Sequence, residues 1–320
     1  MADLSLTQLK VSSSPHISEG LDAQTLMCLV LTALLPLSVY GVILYGVNAL
    51  VRLLLSVALA VAFEALFQLA TKQKVTVKDC SAAVTGLLFA LTLPPMVPLW
   101  QLAIGILFSI VVAKGFFGGL GANVYNPALA GRAFLFVSFP SSMGAVWVNP
   151  ATDAVSSATV LSQIKSGDFT AGTEDYLNFF LGKRAGCIGE TGIFLIIIAF
   201  VFLWATKVID WRATIAMLVT ASLAAFLSGG DVLMTLLSGG LLFGAVFMAT
   251  DYATTPQTKP GRLVFGAACG FITFLIRKFG GYPEGVMFSI LIMNSLTAFL
   301  NNLTGRKYGY KRIKKAEAKK

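Results

Sequence analysis

Apolar stretches follow one another along almost the whole chain, at 23–45, 53–70, 80–93, 99–113 and 126–140. After a polar interval at 141–189 they resume at 191–206, 213–228, 232–250, 263–276 and 285–303. So many apolar faces leave too little polar surface for a soluble fold. Charged residues make up only 12% of the 320, whereas a soluble domain carries about 25%. The bilayer is therefore the solvent. About 20 residues at 1.5 Å rise cross a hydrocarbon core about 30 Å thick, and 23–45 is long enough to do so. Several later stretches are shorter, which predicts tilted, re-entrant or broken helices. Leu93-Pro94-Pro95 and Thr254-Thr255-Pro256 mark two places where regular helix cannot continue.

Five apolar stretches on each side of one polar interval suggest a duplicated unit. Gly86 to Thr92 (GLLFALT), with Pro94 following, is similar to Gly244 to Thr250 (GAVFMAT), with Pro256 following. Phe117-Gly118-Gly119 after Lys114 is similar to Phe279-Gly280-Gly281 after Lys278. An odd number of spans per unit inverts the two halves in the membrane, with their broken helices meeting near the midplane. The expected fold is an all-α integral membrane protein of about ten transmembrane helices, built as two inverted five-helix repeats, 23–140 and 191–303.

The net charge of +9 reflects topology rather than nucleic-acid binding. With loops placed alternately on two sides, one side holds Lys10, Lys72, Lys74, Lys78, Lys114, Lys207, Arg212, Lys259, Arg262 and the eight basic residues of the tail. The other holds Arg52, Lys165, Lys183, Arg184, Arg277 and Lys278, and Arg132 lies within a span. The richer side is expected to be cytoplasmic. That puts the segment 1–22 and the basic tail 304–320 inside, the tail against anionic lipid, and the loop 141–189 outside. Residues 1–20 are polar with a single Lys, and the apolar run after them is too long for a cleavable signal. One His (His16) and four Cys without C-x-x-C spacing argue against bis-histidine haem, histidine metal clusters, an iron–sulfur site or a disulfide framework.

The outer loop opens Asn149-Pro-Ala-Thr-Asp153-Ala-Val-Ser156-Ser157-Ala158-Thr159. From composition this is an ordinary loop or helix cap. Its small residues would also let an external enzyme reach the Thr159 hydroxyl, with a metal ion activating the transfer, because an unassisted Thr is a poor nucleophile. The stretch resembles the D-x-x-S-G-A-T flavinylation motif of membrane subunits in Rnf ferredoxin:NAD oxidoreductases and in the sodium-pumping NADH:quinone reductase. The resemblance to the Rnf D-subunit family extends along nearly the whole chain. It runs through Ser14-Pro15-His16, Val84 to Pro95, Phe117 to Ala128, Gly189-Glu190-Thr191, Asp210-Trp211-Arg212, Ala249 to Pro256 and Tyr282 to Asn294. The long N-terminal extension of the quinone-reductase subunit is missing, which favours the Rnf branch. Ser157 stands where the pattern usually has Gly, a residue freer to take positive φ.

This resemblance implies FMN joined through its phosphate to Thr159, with Asp153, Ser156 and Ala158 completing the motif. It also implies a flavin transferase for maturation, the other membrane and soluble subunits of an Rnf complex as partners, and residence in a prokaryotic cytoplasmic membrane. The complex would couple electron transfer between ferredoxin and NAD to Na⁺ or H⁺ translocation. No G-x-G-x-x-G follows a strand pattern, so NADH and ferredoxin fall to other chains, and no complete catalytic site is expected on this one.

A second, non-covalent flavin (riboflavin or another flavin) is implied near the inner side. Gly118-Gly119-Leu120-Gly121-Ala122-Asn123-Val-Tyr-Asn126-Pro127 is the candidate: its glycines allow close backbone approach and Asn123 and Asn126 offer amides to a polar ring edge. The same residues read equally well as a helix-entry turn with Asn as cap and Pro at the first position. Charges within spans mark function by default. Glu64 is the candidate for an ion path, and Arg132 for a flavin phosphate or a carboxylate partner; Asp251 and Glu284 sit at span ends. The rival readings are an inverted-repeat channel or secondary transporter for a small solute, and a flavin-free scaffold.

Overall fold

A computed structural model describes residues 22–144, 147–148, 155–156, 161, 163, 172–282 and 284–305. Asp22 caps α1 (Ala23–Tyr45), its carboxylate accepting from the Ala23 amide at 2.8 Å. Gly46, at φ +68°, then lets the chain reverse directly into α2 (Val47–Ala70). There follow α3 (Ser81–Leu91), α4 (Leu99–Leu107) running on as a π-helix over Phe108–Gly115, and α5 (Pro127–Ser138). The polar interval holds the short α6 (Pro140–Gly144) and α7 (Thr173–Leu181). The second half contains α8 (Ile193–Ala205), α9 (Trp211–Leu227), α10 (Val232–Leu237) and α11 (Leu241–Phe243), the last continuing as a π-helix over Gly244–Met248. It ends with α12 (Lys259–Phe279), α13 (Val286–Ser295) and α14 (Thr297–Thr304).

Each apolar stretch of the sequence thus holds helix. Two, α1 and α2, are long and apolar enough to cross a membrane alone, and α13 with α14, bent by 56°, pass that test only as a pair. Their outward faces are aliphatic, with Ile43, Val47 and Leu54 well exposed. The fold is all-helical as expected, apart from one two-residue ladder in the polar interval, where Trp147–Val148 (β1) pairs antiparallel with Val155–Ser156 (β2), Trp147 opposite Ser156. Trp147 is buried and its indole N–H donates to Gly144 O at 3.0 Å, which ties this hairpin to α6.

Helices pack closely where glycine removes the side chain. A Cβ on Gly266 or Gly270 of α12 would stand 2.2 or 2.3 Å from the carbonyl oxygens of Ala213 and Met217 on α9. This is the small-residue contact expected where lipid supplies no hydrophobic drive. Contacts between helix ends show successive helices running in opposite directions. Tyr40 near the end of α1 donates to Leu181 O at 2.6 Å, and Ile188 N donates to Leu93 O just past α3 at 3.2 Å. The end of α2, the start of α3 and the π-helix after α4 meet at the opposite face.

Of the basic residues assigned to loops on hydropathy, three lie in helices and a fourth, Arg184, stays in its loop but is buried there. Lys114 is buried in the first π-helix, Arg52 in α2 donates to Val97 O at 2.9 Å, Arg184 is buried, and Arg277 lies in the last turn of α12. Window averages place charges outside spans; these four are held within the protein because each finds an acceptor there.

Candidate functional site

At the end of the bundle where α1 begins, Glu64 and Lys114 form a buried ion pair, Nζ lying 2.9 Å from Oε1 and 2.9 Å from Oε2. Lys114 Nζ also donates to Ser81 Oγ at 2.7 Å, and the Ser81 hydroxyl donates to Asp79 Oδ1 at 2.7 Å. An unbroken chain of hydrogen bonds therefore leads from Glu64, 5% exposed, to Asp79 at the rim. The lysine sits in a π-helix, whose extra residue per turn aims a side chain that a regular helix would turn elsewhere.

Beside this pair lies a cavity of about 350 Å³. Leu26, Met27, Val30, Val84, Leu88 and Phe247 give it apolar walls; Ser81, Thr85, Lys114, Asn123, Asn126 and Thr250 supply polar groups. The second π-helix contributes Val246 and Phe247, so both irregular helices border the same space. Its size and its apolar lining with a few polar groups suit a flat heteroaromatic ligand. Asn126 caps α5, its side-chain oxygen accepting from Leu129 N at 3.2 Å, and the Asn123 amide donates to Tyr125 O at 3.1 Å. The helix-entry reading of the two asparagines therefore holds, and both also line the cavity. Gly118, Gly119 and Gly121 take φ of +110°, +89° and +88°; a Cβ at Gly119 or Gly121 would meet nothing within 4 Å. All three take a backbone conformation that residues with a side chain rarely adopt, and Gly121 also lines the cavity.

At the opposite end, Arg132 of α5 reaches Glu284 ahead of α13, Nη2 to Oε2 3.0 Å, and lies 3.9 Å from Glu190 Oε1. Its Nη2 is also 3.5 Å from Cys187 Sγ. Glu284 Oε1 accepts from Gly240 N at 2.7 Å. Arg184 donates to Glu190 O at 3.1 Å and Gly239 O at 3.3 Å; Arg277 donates to Thr235 O at 2.8 Å and Ser238 O at 3.1 Å. These arginines satisfy carbonyls freed where α10 breaks before α11. Arg132 thus has the carboxylate partner that was one of the two weighed for it. Sequence reasoning missed Lys114, Arg184 and Arg277, because hydropathy assigns isolated charges to loops. Glu284 was visible as a charge at a span end, and Glu190 only as a member of a matching segment.

Thr159, Asp153 and Ala158 lie outside the described residues, as do 1–21 and 306–320. Ser156 is placed by its backbone in β2. Leu161 meets Gly239, its Cδ2 lying 3.3 Å from where a Cβ on that glycine would be.

Near the first cavity, Asp210 caps α9 and binds two guanidiniums through Oδ2, Arg212 Nη1 and Arg262 Nη1 each at 2.8 Å. Burial alone would raise its pKa. Hydrogen bonds from the Arg212 backbone and from the Arg262 and Arg212 side chains outweigh burial and hold the carboxyl below 3.8.

Residues 10–309 match the NQR2, RnfD, RnfE family. The chain is 42% identical, over the full length of both proteins, to the D subunit of the Na⁺-translocating ferredoxin:NAD⁺ oxidoreductase complex of Acetobacterium woodii. It is 37% identical to the D subunit of the proton-translocating ferredoxin:NAD⁺ oxidoreductase complex of Clostridium ljungdahlii, covering 92% of this chain and 94% of that one. It is 33% identical to the D subunit of the ion-translocating oxidoreductase complex of Escherichia coli O7:K1, covering 95% and 99%.

Proposed function

The chain belongs to the NQR2, RnfD, RnfE family, and from that premise we propose that it is the flavin-carrying membrane subunit of an Rnf-type complex. Such a complex couples electron transfer between ferredoxin and NAD to Na⁺ or H⁺ movement. The observation that carries this reading is the match, end to end, to proteins bearing that name. The chain is a multi-pass protein of the prokaryotic cytoplasmic membrane. Its ten helical stretches form two inverted five-helix repeats, 23–140 and 191–303, both termini lie inside, and 141–189 lies outside. Two observations support the inversion. The break after α3 and the break after the second π-helix fall at opposite ends of the bundle, and the placement of Lys114, Arg52 and Arg277 in helices rather than loops sharpens the charge asymmetry.

Thr159 is the attachment point for FMN, carried there by a flavin transferase, with Asp153, Ser156 and Ala158 shaping the recognised segment. A flavin supplies one- and two-electron redox chemistry when bound. The chain's own residues position it: pairing of β1 with β2 anchors the segment that leads to Thr159, and Leu161 docks it onto Gly239. The cavity beside Asn123 and Asn126 would hold a second flavin, with its apolar walls, the two amides and Lys114 available to it. Glu64, held by Lys114, is the group best placed to carry an ion step, because its hydrogen-bonded chain reaches the rim at Asp79. Partner subunits bring ferredoxin and NAD.

Purification through a tag on this chain should recover other membrane and soluble subunits, and membranes lacking it should lose ferredoxin:NAD reduction. Recovery of a lone protein that moves solute without an electron donor would favour a transporter instead.

A further inference from the structure

The turn that joins α8 to α9 and the stretch ahead of α12 enclose a cleft of about 340 Å³. Ile209, Thr250, Asp251 and Tyr252 line both this cleft and the larger cavity, and so form the wall between them. The cleft differs in character: Lys207, Arg212 and Arg262 line it together with Trp204 and Trp211. Asp210 fixes the two arginines side by side, because both Nη1 atoms donate to the same Oδ2 at 2.8 Å. Arg262 Nε donates to Pro256 O at 2.9 Å. Arg212 Nε and Nη2, Arg262 Nη2 and Lys207 Nζ have no partner among the described residues. The other acid of the lining, Asp251, accepts from Thr254 Oγ1 at 3.1 Å. Lys207 takes φ of +57° just past the end of α8, where glycine is the usual residue. Two guanidiniums held together with free edges, and an ammonium nearby, suit the oxygens of a phosphate.

The position of the cleft selects the source of that phosphate. It lies at helix ends, where α8 stops at Ala205 and α9 starts at Trp211, and both indoles remain exposed there. Exposed tryptophans at the ends of membrane helices lie at the level of the lipid headgroups, and basic clusters at that level attract anionic lipid. The Arg212 guanidinium lies over the Trp211 ring, 5.2 Å from its centroid, so that charge and indole form one unit.

We propose that this cleft binds the headgroup phosphate of an anionic phospholipid, held by Lys207, Arg212 and Arg262 and bordered by the two indoles. Inorganic phosphate shares the chemistry but lacks the acyl chains that keep a lipid at this level.

Native mass spectrometry of the full-length chain, equilibrated with equal amounts of phosphatidylglycerol and phosphatidylcholine, reads the preference directly. The wild type should retain phosphatidylglycerol over phosphatidylcholine. Lys207→Gln breaks no hydrogen bond among the described residues and should lower that preference about fivefold, the contribution of one basic side chain near an anionic headgroup. Arg212→Gln should lower it at least as far, and Arg212→Lys, which keeps the charge but not the fork, should recover part. Lys74→Gln, exposed between α2 and α3 at the same end of the bundle, should leave it unchanged. If Arg212→Gln fails to fold, Lys207→Gln decides. Equal retention of the two lipids by the wild type overturns the site, whether the cleft takes up inorganic phosphate, seen as an adduct of its own mass, or nothing. An unchanged preference in Lys207→Gln overturns it too, as does an equal fall in Lys74→Gln, which would make the attraction a property of the whole face. The Lys207 effect should persist in the assembled complex; its disappearance there assigns the cleft to a partner subunit and overturns the lipid.

Discussion

The two ends of the bundle bury charge in different ways. At the end where α1 begins, the inner one on the proposed topology, one lysine meets one carboxylate, with Ser81 and Asp79 continuing the chain to the rim, and a cavity of about 350 Å³ lies alongside. At the other end, the outer one on the proposed topology, three arginines face two glutamates, and among the described residues four side chains, Arg132, Arg184, Arg277 and Glu190, keep a polar atom without a hydrogen-bond partner. The first arrangement is complete in itself. The second leaves polar atoms unpaired among the described residues. Closed pairs hold a fold together or pass a proton along, whereas open ones leave buried donors uncompensated.

Breaking the closed pair should have the largest effect on stability. Lys114→Met or Glu64→Leu alone leaves a buried charge unmatched and should destabilise by about 3–5 kcal/mol. The double replacement should recover most of that loss, because two apolar side chains of similar size are often neutral or better. Thermal unfolding of the detergent-solubilised protein measures both. A double variant as unstable as the singles would show that the pair is not an isolated unit, and the contrast with the outer cluster would fail.

Glycine substitutions sharpen the contrast. A methyl group at Gly240 would meet Glu284 Oε1 at 2.6 Å and Glu190 Oε1 at 2.8 Å, pushing both carboxylates off Arg132. Gly240→Ala should destabilise by about 1–3 kcal/mol, the range for overpacking, and should loosen the outer cluster without touching Lys114. Gly121→Ala meets nothing but must adopt φ near +88°, which costs about 1–2 kcal/mol of backbone strain and leaves the inner pair intact. Equal responses in probes of both clusters would erase the distinction.

The smallest effect concerns Asp210. Its pKa is lower in the folded state, so its contribution is present above the ordinary carboxylate value of 3.8 and disappears as pH falls through the lowered one. The group is open to solvent on one side, and screening there keeps the contribution below about 1 kcal/mol. Asp210→Asn should flatten the acid limb of the unfolding profile slightly, without moving the profile above about pH 5. A profile identical to that of the wild type would remove Asp210 as a clasp for Arg212 and Arg262.

Much of this architecture was legible in the sequence because it depends on local pattern. Apolar run length marked the helical stretches, and Leu93-Pro94-Pro95 and Thr254-Thr255-Pro256 marked two breaks. The outer cluster depends on partners far apart in the chain, Arg132 and Glu284 being 152 residues distant, and no local pattern carries such a pair. Lys114 was hidden for another reason. It follows an apolar run just before a glycine-rich turn, which reads as an inner-loop charge until the π-helix rotates it onto Glu64. The glycines at 118, 119 and 121 answer a need for positive φ, which residue type alone does not separate from close backbone approach.

The central claim is that this chain carries a flavin covalently on Thr159, and in-gel fluorescence after denaturing electrophoresis tests it most directly. The wild-type band should fluoresce, and Thr159→Ser should retain part of the signal. Thr159→Val should insert and assemble normally but stay dark, since it removes only the hydroxyl and keeps the branched shape. A fully fluorescent Thr159→Val band would contradict the assignment of the residue, and a dark wild-type band would contradict the flavin itself.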